Sequence, residues 1–260
     1  MKSNTIKKKK WLVFLSALVI LFLLPLFSFA LNITPVRHEI KGVPGEIYEG
    51  SFTVYNETQE KMYILVKLKK WRELKENSDI KPEDWVEIYP EEFDIVPGEN
   101  KEVKFKVTVP KKAQGFVMTH VSFCPEVKQG GSVGMVMSLP IYVTIEGTEV
   151  FKAEISDVGL IKDKTDLQVM VVVKNDGNVY IRPKGKVTIK RKKKEITSIN
   201  LKYGRPVYPG QVRGYSGDWR EAELASGKYK LTAMVNYGST TLEKTMVFKI
   251  DKKGNIVLKK

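Results

Sequence analysis

The chain has 260 residues, enough for one large domain or two of ordinary size. Its 44 basic and 30 acidic residues give a net charge of +14, and its single cysteine, Cys124, excludes an intramolecular disulfide. Stability must therefore come from apolar cores rather than cross-links.

The first ten residues, MKSNTIKKKK, hold five lysines and no acid, and no charge occurs from Trp11 to Ala30. A basic start, an apolar run and the small residues Ser28 and Ala30 make residues 1–30 a secretory signal peptide. Pro25 should end the apolar helix and leave the cleavage site extended. The same twenty uncharged residues can span a bilayer, so an uncleaved membrane anchor is the alternative reading. No cysteine follows the leader, which removes a lipid-anchored form. Without residues 1–30 the chain has 39 basic against 30 acidic residues, a net +9. That excess suits solubility and also contact with anionic polymers or lipid head groups. The expected location is a periplasm or the cell surface. Nucleic acid is not an expected partner of an exported chain without a recognition motif.

Beyond the leader the apolar residues recur every second position. Strands are predicted at 33–41, 50–56 and 61–71, and residues 73–84 read as a loop with room for one helical turn. At 102–109, Val103, Phe105, Val107 and Val109 alternate with Glu102, Lys104, Lys106 and Thr108. Such alternation puts one row on a core and the other in water. Strands follow at 116–124 and 135–146, then at 153–161, 167–174, 185–191, 195–201, 212–216, 229–237 and 241–250. Pro44-Gly45, Pro97-Gly98, Asp176-Gly177, Pro209-Gly210 and Ser226-Gly227 mark turns between them. Many short strands with almost no helical pattern make an all-β fold. No short internal repeat is evident, and the end of the polar, basic tail from Asp251 is expected to fray.

A boundary near 147–150 divides the mature chain into residues 31–148 and 149–250, with a basic tail at 251–260. Parts of about 115 and 105 residues suit two immunoglobulin-like β-sandwich domains in tandem. Gly227-x-Tyr229 opens a late strand where a tyrosine corner would sit, its hydroxyl bonded to the backbone upstream. Cys124 is read as a core residue and His120 as a half-buried histidine with a satisfied ring.

Three segments carry a family resemblance. "ITPVRHEIKGVPGEIYEGSFTVYN" (33–56) and "YPEEFDIVPGENKEVKFKVTVPKKAQG" (89–115) resemble the opening and middle of exported PapD-like domains. "VKNDGNVYIRPKGKVTI" (173–189), with "VYPGQVRGYSGDW" (207–219) and "GKYKLTAMVNYG" (227–238), is similar to the immunoglobulin-like domain that follows in such proteins. The related families are the periplasmic chaperones of pilus assembly and the WxL-interacting surface proteins. Pilus chaperones hold a subunit's terminal carboxylate with an arginine of the first strand and a lysine of the first domain's last strand. Arg37 matches the first position, but "GMVMSLPIYVTIEG" (134–147) holds no Lys or Arg. WxL-interacting proteins end in a membrane span, and "GNIVLKK" (254–260) is too short for one.

No HExxH, GxSxG, CxxC or phosphate-cradling glycine loop occurs, and His38 and His120 lie far apart, so no enzyme activity and no cofactor is expected. His120 and Cys124 share a strand face, but four residues of strand separate them by about 13 Å, too far for one metal. The row Met135, Met137, Leu139, Ile141, Val143 and Ile145 can form core, or, at a sheet edge, receive a partner's strand. Pro140 favours an edge. A second candidate surface runs through Arg205, Tyr208, Arg213, Tyr215, Trp219 and Arg220, a mixture suited to sugars or anionic polymers. The leading expectation is a non-catalytic, chaperone-like or accessory factor for other exported or cell-surface proteins. The alternative is an envelope protein bound to peptidoglycan or anionic polysaccharide.

Overall fold

A period of two governs the folded chain, as a computed structural model shows for residues 31–70, 81–126, 135–163, 166–202, 204–219 and 225–258. The predicted leader, most of the predicted 73–84 loop, and Arg220 lie outside the described residues. The first part holds β1 (Leu31–Thr34), β2 (His38–Gly42), β3 (Ile47–Asn56), β4 (Met62–Lys70), β5 (Val86–Tyr89), β6 (Glu92–Ile95), β7 (Asn100–Thr108), β8 (Phe116–Glu126) and β9 (Met137–Ile145). A 3-10 turn at Pro82–Trp85 precedes β5. The second part holds β10 (Ala153–Asp163), β11 (Asp166–Asn175), β12 (Lys184–Arg191), β13 (Lys194–Asn200), β14 (Val212–Trp219), β15 (Gly227–Tyr237), β16 (Thr240–Ile250) and β17 (Ile256–Leu258).

Each part is a sandwich of two sheets. The first stacks β1-β3-β7-β5 on β2-β9-β8-β4-β6, and the second stacks β10-β11-β14 on β13-β12-β15-β16-β17. Phe52, Val54, Val103, Phe105 and Val107 of one sheet meet Ile64, Val121, Phe123, Ile141 and Ile145 of the other in the first core. Val169, Val171 and Val173 meet Ile189, Leu231, Ala233 and Phe248 in the second.

The predicted strand at 33–41 is two strands in different sheets. Pro35 lacks an N–H and fixes its φ, so the ladder stops there. β1 pairs with β3 in one sheet, and β2 pairs in parallel with β9 in the other. The opposite side of the sandwich repeats this device with the two short strands that periodicity missed. β5 pairs with β7, the chain turns at Pro90, and β6 pairs with β4 in the facing sheet. Each is four residues long, too short for alternation to stand out.

One further expectation changes. Cys124 is half-buried rather than core, because it points to the outer face with Ser122 and His120. The tail is tied down as far as Leu258, since β17 pairs with β16 and Asp251 accepts from the backbone N–H groups of Lys253 and Asn255 at 2.8 Å each, and its predicted frayed end lies outside the described residues. The two domains share one long-spaced correspondence. Asn56 closes β3 and donates to the carbonyls of Glu60 and Ile95, while Asn175 closes β11 and donates to those of Val179 and Val207. Gly98 and Gly210, from the two Pro-Gly turns, donate their N–H groups to the backbone oxygens of Asn56 and Asn175. The tyrosine corner forms as expected, with the Tyr229 hydroxyl donating to the carbonyl of Ala225 at 2.7 Å.

Candidate functional site

The change of sheet at Pro35 leaves part of β9 open. β2 covers β9 only from His38↔Ile141 to Gly42↔Ile145. The preceding stretch, Met137 to Pro140, is paired with β8 alone, from Phe123↔Met137 to His120↔Pro140. Among the described residues no strand lies on its other side. Beyond this point the chain that formed β2 has crossed to pair with β3 as β1. The backbone groups of Met137 to Leu139 that point away from β8 thus have no strand partner among the described residues, and Pro140 has no N–H to offer.

The apolar row on β9 is graded along this geometry. Met135 is 81% exposed and Met137 half-buried, while Leu139 is 8% exposed and Ile141, Val143 and Ile145 are sealed in the first core. The row thus divides, its first half at the open edge and its second half structural. At the notch where β1 and β2 part, the His38 ring packs edge-on against Phe52 and Phe105, each at 4.7 Å, and its Nε2 lies 2.8 Å from the carbonyl of Ser51. Gly50 is required beside it, because a Cβ there would sit 2.4 Å from the Phe105 ring.

Arg37 stands beside the same notch. Its Nε donates to Glu39 at 2.7 Å, and Arg182 of the second domain donates to the same carboxylate oxygen at 3.2 Å. Burial works against ionisation of Glu39, but its bond to Arg37 and the nearby Arg182 charge outweigh it, holding the carboxyl below its usual range. Two guanidiniums on one carboxylate leave the group one positive charge in excess.

Arg182 also joins the seam between the domains. Its guanidinium lies over the rings of Tyr180 and Tyr142 at 5.3 and 5.6 Å. Phe116, Met118 and Tyr142 of the first domain bury themselves against Val179 and Tyr208 of the second, with Tyr180 packed alongside. The hydroxyls of Tyr142 and Tyr208 are 3.0 Å apart and buried. Asn178 pins the connecting segment, accepting from the Val150 N–H at 2.6 Å and donating to the Thr148 carbonyl at 2.8 Å. Gly177 allows this approach, since a Cβ there would fall 2.2 Å from the Val150 carbonyl oxygen. The seam also explains why β8 shows little alternation. Its first residues are buried on both faces, by the core and by the second domain.

The second set of sequence candidates does not form one surface. Tyr208 belongs to the seam, and Tyr215 and Trp219 are buried in the second core, Trp219 edge-on to Phe248 at 6.2 Å. Burial pushes the Tyr215 hydroxyl up to about 12, and it donates to the carbonyl of Arg205 at 2.8 Å. Arg205 is exposed and Arg213 half-buried, but the aromatic faces a sugar would need are turned inward. Arg213, Tyr215 and Trp219 share one row of β14 by period, so alternation could not tell whether that row faces a core or a ligand. His120 is half-buried, and its burial lowers its pKa. Among the described residues no group of three His, Cys, Asp or Glu side chains is arranged to hold a metal, and no helix is long and apolar enough to cross a membrane.

No protein-family model matches the chain, and no curated protein matches it. Among solved structures, the class 5 fimbriae chaperone CfaA is similar over 83% of this chain and 98% of its own, at 16% identity and a TM-score of 0.46. The CupB2 chaperone of Pseudomonas aeruginosa is similar over 82% of this chain and 98% of its own, at 12% identity and a TM-score of 0.45. The E. coli chaperone DraB is similar over 83% and 98%, at 14% identity and a TM-score of 0.41.

Proposed function

We propose that this is an exported, non-catalytic binding protein of chaperone-like type, which receives an extended segment of another exported protein on the open half of β9. The observation that carries the reading is the one-sided pairing of Met137 to Pro140, beside an apolar row that grades from solvent into the core. An incoming strand would bond the free backbone groups, and its apolar residues would cover Met135, Met137 and Leu139. Methionine suits this task because its unbranched, polarizable side chain repacks against varied partners. Arg37, next to the open stretch and within a group of net positive charge, would hold an acidic residue or chain terminus of the guest.

Hydrogen exchange tests the reading. Amides of residues 137–139 that face the open side should exchange quickly in the free protein. A synthetic peptide of alternating valine and threonine should protect them, and the double variant Met135→Glu, Met137→Glu should weaken that protection at least about tenfold. Protection elsewhere in the chain, with none at residues 137–139, would reject the site.

A further inference from the structure

The outer face of the second domain's larger sheet carries an arrangement that the strand-binding reading does not use. Lys184, Lys186 and Lys190 of β12, Lys228 and Lys230 of β15, and Lys249 of β16 all point outward, against Glu195 and Glu243. Register makes this more than a scatter of lysines. Lys190 is directly opposite Lys230, and Lys228 is directly opposite Lys249. Directly opposed like charges destabilise a sheet, and here two such pairs adjoin, because Lys228 and Lys230 are neighbours on one face of β15. Lys192, Lys193 and Lys194 follow in the β12–β13 hairpin, and Lys252 and Lys253 lie in the β16–β17 turn. Among the described residues no ion pair forms at Lys190, Lys228, Lys230 or Lys249, although Glu195 of β13 is directly opposite Lys190 on its other side and the Lys249 charge reaches Asp251. Asp251, the acid nearest in sequence, is engaged by Lys253 and Asn255 of its own turn. The sequence between β14 and β15 adds Arg220, Glu221 and Glu223, which does not change the sign of the charge.

This lysine cluster is at the far end of the domain. β12 starts next to Arg182 and the seam and runs away from it, so Lys190 is six residues, or about 20 Å, further on. Two apolar side chains sit inside the cluster. Val247, 41% exposed, is directly opposite Lys230, and Val257, 49% exposed, is directly opposite Lys249. Ammonium groups on flexible stems around short apolar side chains fit a phospholipid surface, where the charges meet phosphates and the valines enter the head-group layer. A soluble polyanion would use the lysines and leave the valines in water.

We propose that the far end of the second domain docks on an anionic phospholipid surface through Lys190, Lys228, Lys230 and Lys249, with Val247 and Val257 seated in the head-group layer. The test is co-sedimentation of the chain from Leu31 onward with vesicles of phosphatidylcholine, with and without phosphatidylglycerol. Binding is expected only with phosphatidylglycerol, and should fall as salt rises. A basic residue at such a surface contributes ~1 kcal/mol, or about fivefold, so Lys228→Gln, Lys230→Gln, Lys249→Gln together should weaken binding about 100-fold. That variant should melt no lower than the unmutated chain, since it removes repulsion. The same charge change at exposed Lys101, Lys111 and Lys112 of the first domain should have little effect. Val247→Ser with Val257→Ser should also weaken vesicle binding, while binding of polyphosphate stays unchanged. The proposal is overturned by no binding to phosphatidylglycerol vesicles at low salt, by equal losses in the first-domain control, or by valine variants that bind vesicles like the unmutated chain. Because lipid and salt dependence are read on the unmutated chain, the outcome stands even if a variant misfolds. Failure here leaves the β9 reading intact, since no β9 residue takes part.

Discussion

Asn56 and Asn175 show how one side chain can close a sandwich. Each is fully buried at the end of a strand, where its amide donates to two carbonyls from two different segments. Its side-chain oxygen accepts from the turn that follows, from the Thr58 N–H in one domain and the Gly177 N–H in the other. Alanine at Asn175 would strip the Val179 carbonyl and the Gly177 N–H of the bonds they make to it and leave the Val207 carbonyl with the Ile181 N–H alone. The expected loss is about 3 kcal/mol, since each buried unsatisfied group costs about 1–3 kcal/mol. Urea unfolding of Asn175→Ala measures it, and Asn175→Asp, which sets a buried carboxyl against two carbonyl oxygens, should lose at least as much. A loss below about 1 kcal/mol would mean that water replaces the amide.

β9 is one strand with two environments, and substitutions along it should separate them. Ile141 is sealed between the sheets, so Ile141→Glu buries an unpaired carboxyl and should unfold the first domain or cost more than about 4 kcal/mol. Met135 is at the solvent end of the same row, and Met135→Glu should change stability by no more than about 0.5 kcal/mol. Thermal melts of the two variants give the contrast. Similar losses from both would mean that the first half of the row is packed after all. The reason for the division is one strand away, in the proline that sends β1 to the facing sheet.

The two sandwiches have separate cores, joined by a third, smaller cluster at the seam. Residues 31–148 and 149–260 should therefore each fold alone with strand-type circular dichroism, yet melt below the full chain, because separation exposes Phe116, Tyr142 and Tyr208. The seam also holds the Glu39–Arg182 pair, which is partly exposed and contributes about 0.2–1 kcal/mol. The folded carboxyl is held below its usual pKa of 4.5, so this contribution is present above that pH and lost as pH falls through the lowered value. The advantage of the full chain over its halves should shrink correspondingly in acid, and Glu39→Gln should remove that part of the pH dependence. Halves that stay unfolded at neutral pH would make the seam part of a single core.

The sequence by itself determined the all-β class, the order of most strands and the tyrosine corner, because each depends on neighbours within a few positions: alternation, Pro-Gly turns, and a Gly-x-Tyr. It also contained the repeated asparagine stitch, as Val54-x-Asn56 with Ile95-Val96-Pro97-Gly98 and Val173-x-Asn175 with Val207-Tyr208-Pro209-Gly210, although only the hydrogen bonds make the correspondence visible. Tertiary structure decided which side chains of a row reach solvent. Ile141 and Met135 are alike in pattern, and Tyr215 and Trp219 look as available as Arg205, until the facing sheet covers them. It also decided which lysines oppose one another, because cross-strand register joins residues that are forty positions apart, such as Lys190 and Lys230. Local periodicity specifies a strand and its two faces. What covers each face, and where a sheet is left open, depends on strands that come together only when the whole chain has folded.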